Sequence, residues 1–151
     1  MNVLIIDSNF NKANWLIDTL NSFDFVQSIH FYSYGLEAVC DIFNENNMFD
    51  FIIIDSNLKW NKENNIRKEG YVHLLNLLKS KNIHIPVIMN SFDKMPKDLY
   101  SFEDIVSFIA LHKDNENKHC FSLKNENTTK DILYQVLYRN SKDFLLNEKV
   151  V

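Results

Sequence analysis

Four polar residues stand at the ends of short apolar segments of the sequence, and their side chains are of types that bind ligands or cations. They are Asp7 after residues 3–6, Asp55 after residues 49–54, Ser91 after residues 83–89 and Lys124 after residues 120–123. If these segments are parallel strands, their carboxyl ends meet at one edge of a sheet, which is where ligands bind in such folds. Two carboxylates, a hydroxyl and an ammonium group at that edge make a candidate polar site.

The order of apolar and amphipathic segments predicts a sheet that would bring these residues together. Continuous apolar runs are typical of strands buried on both faces, and a weaker strand is predicted at 28–33. Segments with apolar residues at helical spacing alternate with the strands, at 11–20, 35–43, 71–78, 99–113 and 129–138. This alternation predicts an α/β fold of the flavodoxin-like kind, a doubly wound five-stranded parallel sheet in the order 2-1-3-4-5.

The segment 99–113 fits two kinds of element. Apolar residues at helical spacing run through it: Leu99, Phe102, Ile105, Val106 and Ile109. Residues 105–111 are also rich in β-branched and aromatic side chains, which favours a strand. We predict a helix, because the alternation of elements requires one between the fourth and fifth strands.

Composition and charge argue against several classes of protein. The chain has 151 residues, 46% of them hydrophobic, and a net charge of -4, which is typical of one globular domain and gives no reason to expect binding to nucleic acid or membranes. Cys40 and Cys120 form no CxxC pair, which argues against a zinc site and is typical of a reducing compartment. Since we find no signal peptide and no apolar run of about 20 residues, we expect a soluble, cytoplasmic protein.

Five segments resemble, in the expected order, the characteristic motifs of the receiver domain of bacterial response regulators. They are VLIIDSN (3–9) for the first strand with its acidic pair, YGLEAV (34–39) for the start of the second helix, FDFIIIDSNL (49–58) for the strand ending in the phosphorylated aspartate, IPVIMNSF (85–92) for the strand ending in Thr or Ser, and FSLKN (121–125) for the strand before the lysine. Together they span nearly the whole chain. The resemblance implies a receiver-like domain at 1–140 with a short tail at 141–151.

The same resemblance implies a role for each residue of the candidate site. Asp55 is the phosphoacceptor, Asp7, Asp55 and the backbone carbonyl of Asn57 bind Mg²⁺, Ser91 and Lys124 contact the phosphoryl group, and Phe121 is the aromatic switch residue. A carboxylate nucleophile needs such cationic groups to stabilise the charge on the transferred phosphoryl group.

Three positions depart from the family pattern. Ser8 stands where the family has a second acidic metal ligand, Phe92 where it has a small residue, and Asn125 where it has proline. A hydroxyl group cannot replace the attraction of a carboxylate for a dication. We therefore expect a weak Mg²⁺ site or none, and little phosphorylation.

These observations lead to three hypotheses about function. The first is an atypical, stand-alone receiver-like signalling domain that contacts other proteins through the face formed by its fourth helix (99–113), fifth strand (120–123) and last helix (129–138). Its partner would be a histidine kinase or another signalling protein, or a second copy in a homodimer through the same face. The alternative is a working phosphoacceptor that receives a phosphoryl group on Asp55 from a histidine kinase or phosphotransfer protein and at most catalyses its own dephosphorylation. The third is a flavodoxin-like enzyme or small-molecule binder, which lacks support because the sequence has no glycine-rich loop.

Two segments, 59–69 and 92–118, are longer than the receiver pattern requires. Long loops at the carboxyl edge of a sheet are either solvated insertions or functional. The functional hypothesis is a lid or partner contact with Trp60 as its anchor. We expect 59–69 and 111–118 to be the most mobile internal segments, because they are polar and lack apolar periodicity.

Overall fold

The computed structural model describes residues 1–44, 48–62, 70–91, 97, 101–110 and 126–141. The strands are β1 (Asn2–Ile6), β2 (Ser28–Tyr32), β3 (Phe51–Asp55), β4 (Val87–Ser91) and β5 (Ile105–Ala110), and the helices are α1 (Phe10–Asn21), α2 (Gly35–Ile42), α3 (Gly70–Ser80) and α4 (Glu126–Arg139). Among these ranges, no helix has the length and apolar character needed to cross a bilayer.

The five strands form one parallel sheet in the order β2-β1-β3-β4-β5. The predicted fold class and strand order are therefore confirmed. Every residue of β3 and β4 is buried, since the sheet is covered on both faces. Burial on both faces accounts for the continuous apolar runs of these strands, which do not alternate with polar residues.

Alternate side chains of the central strands enter two separate hydrophobic cores. Leu4 and Ile52 face the core that α2 and α3 close, whereas Ile5 and Ile53 face the core that α1 and α4 close. Successive side chains of a strand point to opposite faces. Two residues further along the chain, Asp7 and Asp55 therefore follow Ile5 and Ile53 on the face that α1 covers.

The prediction of a helix over 99–113 is wrong, because Ile105–Ala110 is β5 and pairs with β4 along its length. The pairing passes from Val87↔Ile105 to Ile88↔Ser107, which leaves Val106 as an extra residue in a bulge. As a result Ile105 and Ile109 enter opposite cores, which one helical stripe could not do.

The position of β5 contradicts two further predictions for this region. The fifth strand of the sheet is not 120–123, a segment that lies outside the described residues. Nor is 92–118 one long insertion between strands 4 and 5, because β5 lies within it. The connection from β4 to β5 is residues 92–104, and the longer connection, 111–125, follows β5.

The chain after β3 is held against the start of α2. The amides of Gly35 and Leu36 donate to the carbonyl oxygens of Lys59 and Trp60, at 3.0 and 2.9 Å. The Trp60 side chain is buried in the α2–α3 core, and its ring stacks edge-on against His73 at a centroid distance of 4.3 Å. Trp60, the predicted anchor of a lid or partner contact, therefore packs into the protein's own core and offers little surface to a partner. The lid hypothesis stays a prediction, because residues 63–69 lie outside the described ranges, as do 111–118.

Replacing Gly35 with alanine is expected to lower the free energy of unfolding by about 1–2 kcal/mol. A Cβ atom at this position would lie 2.7 Å from Cε3 of Trp60, so the buried ring or the start of α2 must shift. Urea unfolding would measure the loss. The neighbouring variant Leu36→Ala is the control, because Leu36 is an exposed side chain; equal stability of Gly35→Ala and the wild type would contradict the prediction.

Candidate functional site

Two predicted site residues, Asp7 and Asp55, lie at the carboxyl ends of the neighbouring strands β1 and β3. Asp55 is the last residue of β3, and Asp7 follows the last residue of β1. The Asp7 side chain is fully buried and Asp55 is 6% exposed. The two carboxylates therefore meet at the carboxyl ends of the strands, as the sequence predicted, and they lie on the α1 side of the sheet.

A third charged residue, Lys12 of α1, lies between the two carboxylates. Its Nζ atom is 2.9 Å from Oδ2 of Asp7 and 3.1 Å from Oδ1 of Asp55, and its side chain is fully buried. Lys12 was not among the predicted site residues. Both aspartates thus make an ion pair with the same ammonium group inside the protein.

The first turn of α1 fixes the position of Lys12. Asn9 is the N-cap, and its Oδ1 accepts a hydrogen bond from the Lys12 amide at 2.9 Å. The Asn9 amide in turn donates to Oδ1 of Asp7 at 2.9 Å. Since Lys12 also stands one and two helical turns before the buried residues Leu16 and Leu20, its side chain lies on the face of α1 that packs on the sheet.

Burial and the neighbouring charges of this cluster together raise the pKa of Asp7. Burial is the largest cause and the negative charge of Asp55 the second, while Lys12 and the Asn9 amide act in the opposite direction; together they raise the pKa from 3.8 to about 6. Two carboxylates and one ammonium group leave a formal charge of about -1 when all are ionised. Lys12 thus offsets only part of the unfavourable energy of two buried carboxylates.

Ser91, the predicted hydroxyl contact, is the last residue of β4 and is fully buried. Its Oγ accepts a hydrogen bond from the Ser56 hydroxyl, and the Ser56 amide donates to the carbonyl oxygen of Asn90 at 3.0 Å. The Asn90 side chain is 1% exposed and has no hydrogen-bond partner among the described residues. β4 therefore delivers two buried polar side chains to this edge, of which the sequence predicted one.

Asn57, whose backbone carbonyl was predicted to bind metal, follows β3 in an exposed turn. Its amide donates to Oδ1 of Asp55 at 3.2 Å, the same oxygen atom that contacts Lys12. That oxygen therefore accepts one hydrogen bond from the backbone and makes an ion pair with Lys12.

Comparison with known proteins gives a result for the fold only. No protein-family model matches the chain, and no curated protein matches it. Among solved structures, the response regulator domain of Thermotoga maritima CheB has a TM-score of 0.66 at 19% identity, covering 93% of this chain and 95% of that one. The Mn²⁺-bound form of response regulator Rcp1 has a TM-score of 0.62 at 16% identity, covering 87% of this chain and 90% of that one. The phosphorylated cyanobacterial phytochrome response regulator RcpA has a TM-score of 0.63 at 17% identity, covering 91% of each chain.

The chain has the fold of a response-regulator receiver domain. This finding confirms the resemblance that the motifs carried, at the level of strand order and of the elements that position the acidic residues. Asp7 and Asp55 lie at the carboxyl ends of their strands, where parallel α/β sheets bind ligands, so the pair can be tested for the cation that the resemblance implied.

Magnesium does not fit between Asp7 and Asp55 as the two residues stand. Mg²⁺ requires oxygen ligands at about 2.0–2.1 Å in octahedral geometry and retains several waters. Here the carboxylate oxygens of Asp7 and Asp55 are already bridged by a buried ammonium group at 2.9 and 3.1 Å, which are distances of charged hydrogen bonds. A dication could reach both carboxylates only if Lys12 moved away.

The remaining predicted residues of the receiver site, Phe121 and Lys124, lie outside the described residues. The prediction for Lys124 depends on a fifth strand at 120–123, whereas the fifth strand is β5 and ends at Ala110. The roles of Phe121 and Lys124 therefore stay predictions.

Among the residues that the structure describes, a second group of potential metal ligands lies at the opposite end of the strands from Asp55. The ligand atoms of His84, Glu103 and Asp104 lie within 4.8 Å of one another. His84 precedes β4, and the two acidic residues precede β5, so the group lies at the amino ends of these strands. It belongs to no part of the site around Asp55.

Proposed function

We propose that this chain is a receiver-like signalling domain that acts by contact with other proteins and has an atypical acidic pocket. The observation that supports this most strongly is the ion pairing of Asp55 with the buried Lys12. In addition, Ser91 accepts a hydrogen bond from Ser56. The two groups that phosphoryl transfer would use are therefore engaged by partners within the protein.

The contact surface that we propose lies around β5 and α4. It replaces the face that included a helix over 99–113, since that helix is absent from 101–110. Among the strands that the structure describes, β5 lies at one edge of the sheet, and the apolar side chains of Val106 in β5 and Ile132 in α4 are 43% and 46% exposed. A histidine kinase, another signalling protein or a second copy of this chain would bind there, because exposed apolar side chains and a strand edge both favour protein association.

A working phosphoacceptor is the second candidate. It is favoured by the position of Asp55, at the carboxyl end of β3 beside Asp7, where the resemblance places the phosphorylated residue. One neighbouring structure is of a phosphorylated response regulator and another is of a Mn²⁺-bound one. For this chain, phosphorylation would require that Asp55 exchange its contact with Lys12 for one with a phosphodonor.

Incubation with acetyl phosphate and Mg²⁺, followed by intact-mass measurement, distinguishes the two candidates. We expect no detectable phosphoryl adduct on the wild-type protein, because Ser8 leaves the pocket one carboxylate short and Lys12 occupies its centre. Asp55→Asn, which keeps the size of the side chain, is the control. An adduct that forms on the wild type and is lost in Asp55→Asn would contradict our proposal and support the phosphoacceptor.

A further inference from the structure

We propose that the Lys12 ammonium group is a built-in cation that takes the place of a divalent metal ion between Asp7 and Asp55, so that the pocket is complete without metal and excludes it. The inference rests on the proposed function only in taking these two carboxylates as the receiver's acidic site. It does not depend on whether Asp55 accepts a phosphoryl group.

The geometry of the three charged groups carries the inference. One nitrogen atom lies 2.9 Å from an oxygen of Asp7 and 3.1 Å from an oxygen of Asp55. Both distances suit N–H···O bonds and are about 1 Å longer than magnesium–oxygen bonds. The two contacts therefore have the lengths expected for an ammonium group and not for a small dication.

The complete burial of Lys12 requires that its ammonium group be paired with negative charge inside the protein. A lysine is almost never fully buried unless its charge is paired, and the Lys12 side chain has no exposed surface. Its location in the first turn of α1 is also unfavourable to a cation, because the amino end of a helix carries a partial positive charge. The two carboxylates of Asp7 and Asp55 supply the negative charge that stabilises the buried ammonium group.

The covalent connection of Lys12 to α1 gives it an advantage over a metal ion from solution. The N-cap Asn9 holds both the Lys12 amide and, through its own amide, the Asp7 carboxylate. Because a tethered group acts at a high effective concentration, a dication must displace the ammonium group as well as lose part of its own water. Metal at ordinary concentrations should therefore stay outside.

Lys12 and Ser8 give two different reasons for a weak metal site. If the missing carboxylate at Ser8 is the main reason, Ser8→Asp alone should create metal binding. If the internal cation is the main reason, Ser8→Asp leaves the ammonium group in place and should gain little, whereas Lys12→Met removes the charge and keeps the length of the side chain.

Binding of Mn²⁺ and Mg²⁺ to the purified proteins, measured by calorimetry and by thermal unfolding, tests the inference without any phosphodonor. We expect no saturable binding to the wild type in the millimolar range. Lys12→Met should bind at least about tenfold more tightly than the wild type and than Ser8→Asp. Its melting temperature should rise by about 5–10 °C when the metal is at about 100 times its dissociation constant. The control, Lys79→Met, removes an exposed lysine of α3 and should behave as the wild type does.

If Lys12→Met folds only in the presence of metal and unfolds on addition of EDTA, the inference is supported directly. The variant Lys12→Met/Asp7→Asn, which also removes one carboxylate, should then fold without metal and bind none. Saturable binding to the wild type with the same affinity as to Lys12→Met would overturn the inference, as would a folded Lys12→Met that binds no metal. Labelling of wild-type Asp55 by acetyl phosphate would instead overturn the proposed function, and the metal titration would still be decisive for Lys12.

Discussion

Lys12→Met is expected to lower the free energy of unfolding by about 3–5 kcal/mol in metal-free buffer at neutral pH. The substitution leaves the carboxylates of Asp7 and Asp55 buried together with no cation between them, and removing one partner from a buried ion pair leaves an uncompensated charge. Urea unfolding followed by circular dichroism would measure the change. Acidic buffer should reduce the loss, because protonation of one carboxylate removes their repulsion.

The second-site variant Lys12→Met/Asp7→Asn separates this electrostatic cause from loss of packing. If two buried carboxylates cause the loss, removing the charge of Asp7 should recover most of the stability, because residues in contact have non-additive effects. Lys79→Met, on the exposed surface of α3, should change stability by no more than about 0.5 kcal/mol. A Lys12→Met protein as stable as the wild type would mean that the three charged groups are not coupled.

The fold could be predicted from the sequence because its central strands are unambiguous. The apolar residues of β1, β3 and β4 form short continuous runs that are buried on both faces of the sheet, and the runs in β1 and β3 lead directly to an aspartate. In a chain that alternates such runs with amphipathic segments, the pattern is typical of a parallel sheet covered by helices on both faces. The position of Asp7 beside Asp55 followed from the same alternation.

The fifth strand could not be predicted because a bulge disguises its period. In a regular strand Ile105 and Ile109 would face the same core, but the extra residue Val106 moves them to opposite cores. An apolar pair four residues apart is also what a helix shows, so the spacing favoured the wrong element. The composition of the segment, with its β-branched side chains, was the better signal.

Lys12 was missed because a lysine in the first turn of an amphipathic helix is ordinarily solvated. The signal was its spacing, since residues 12, 16 and 20 repeat every four positions and Leu16 and Leu20 form the buried face of α1. A charged residue in line with that face, five residues after a strand-ending aspartate, indicates a buried ion pair. The sequence alone could not show that Asp55, 43 positions later, completes it.

Asp7→Asn is expected to raise the free energy of unfolding at neutral pH by about 2–3 kcal/mol. Folding raises the pKa of Asp7 from 3.8 to about 6, with burial as the main cause and Asp55 as the second. Between these two values the folded chain binds the proton of Asp7 more tightly than the unfolded chain does. The contribution of this carboxyl group to stability is therefore complete below pH 3.8 and is lost as the pH rises to about 6.

A neutral amide at residue 7 avoids that loss, so the difference between Asp7→Asn and the wild type should depend on pH. Urea unfolding at about pH 4 should give nearly equal stabilities, and the variant should become the more stable protein as the pH rises to about 7. Lys12 remains paired with Asp55 in the variant, and the three groups then carry no net charge. Asp24→Asn, a substitution at an exposed aspartate, controls for the general effect of removing one negative charge. A lower stability of Asp7→Asn at neutral pH would contradict this prediction. It would mean that the attraction between Asp7 and Lys12 outweighs the unfavourable energy of burying a second carboxylate.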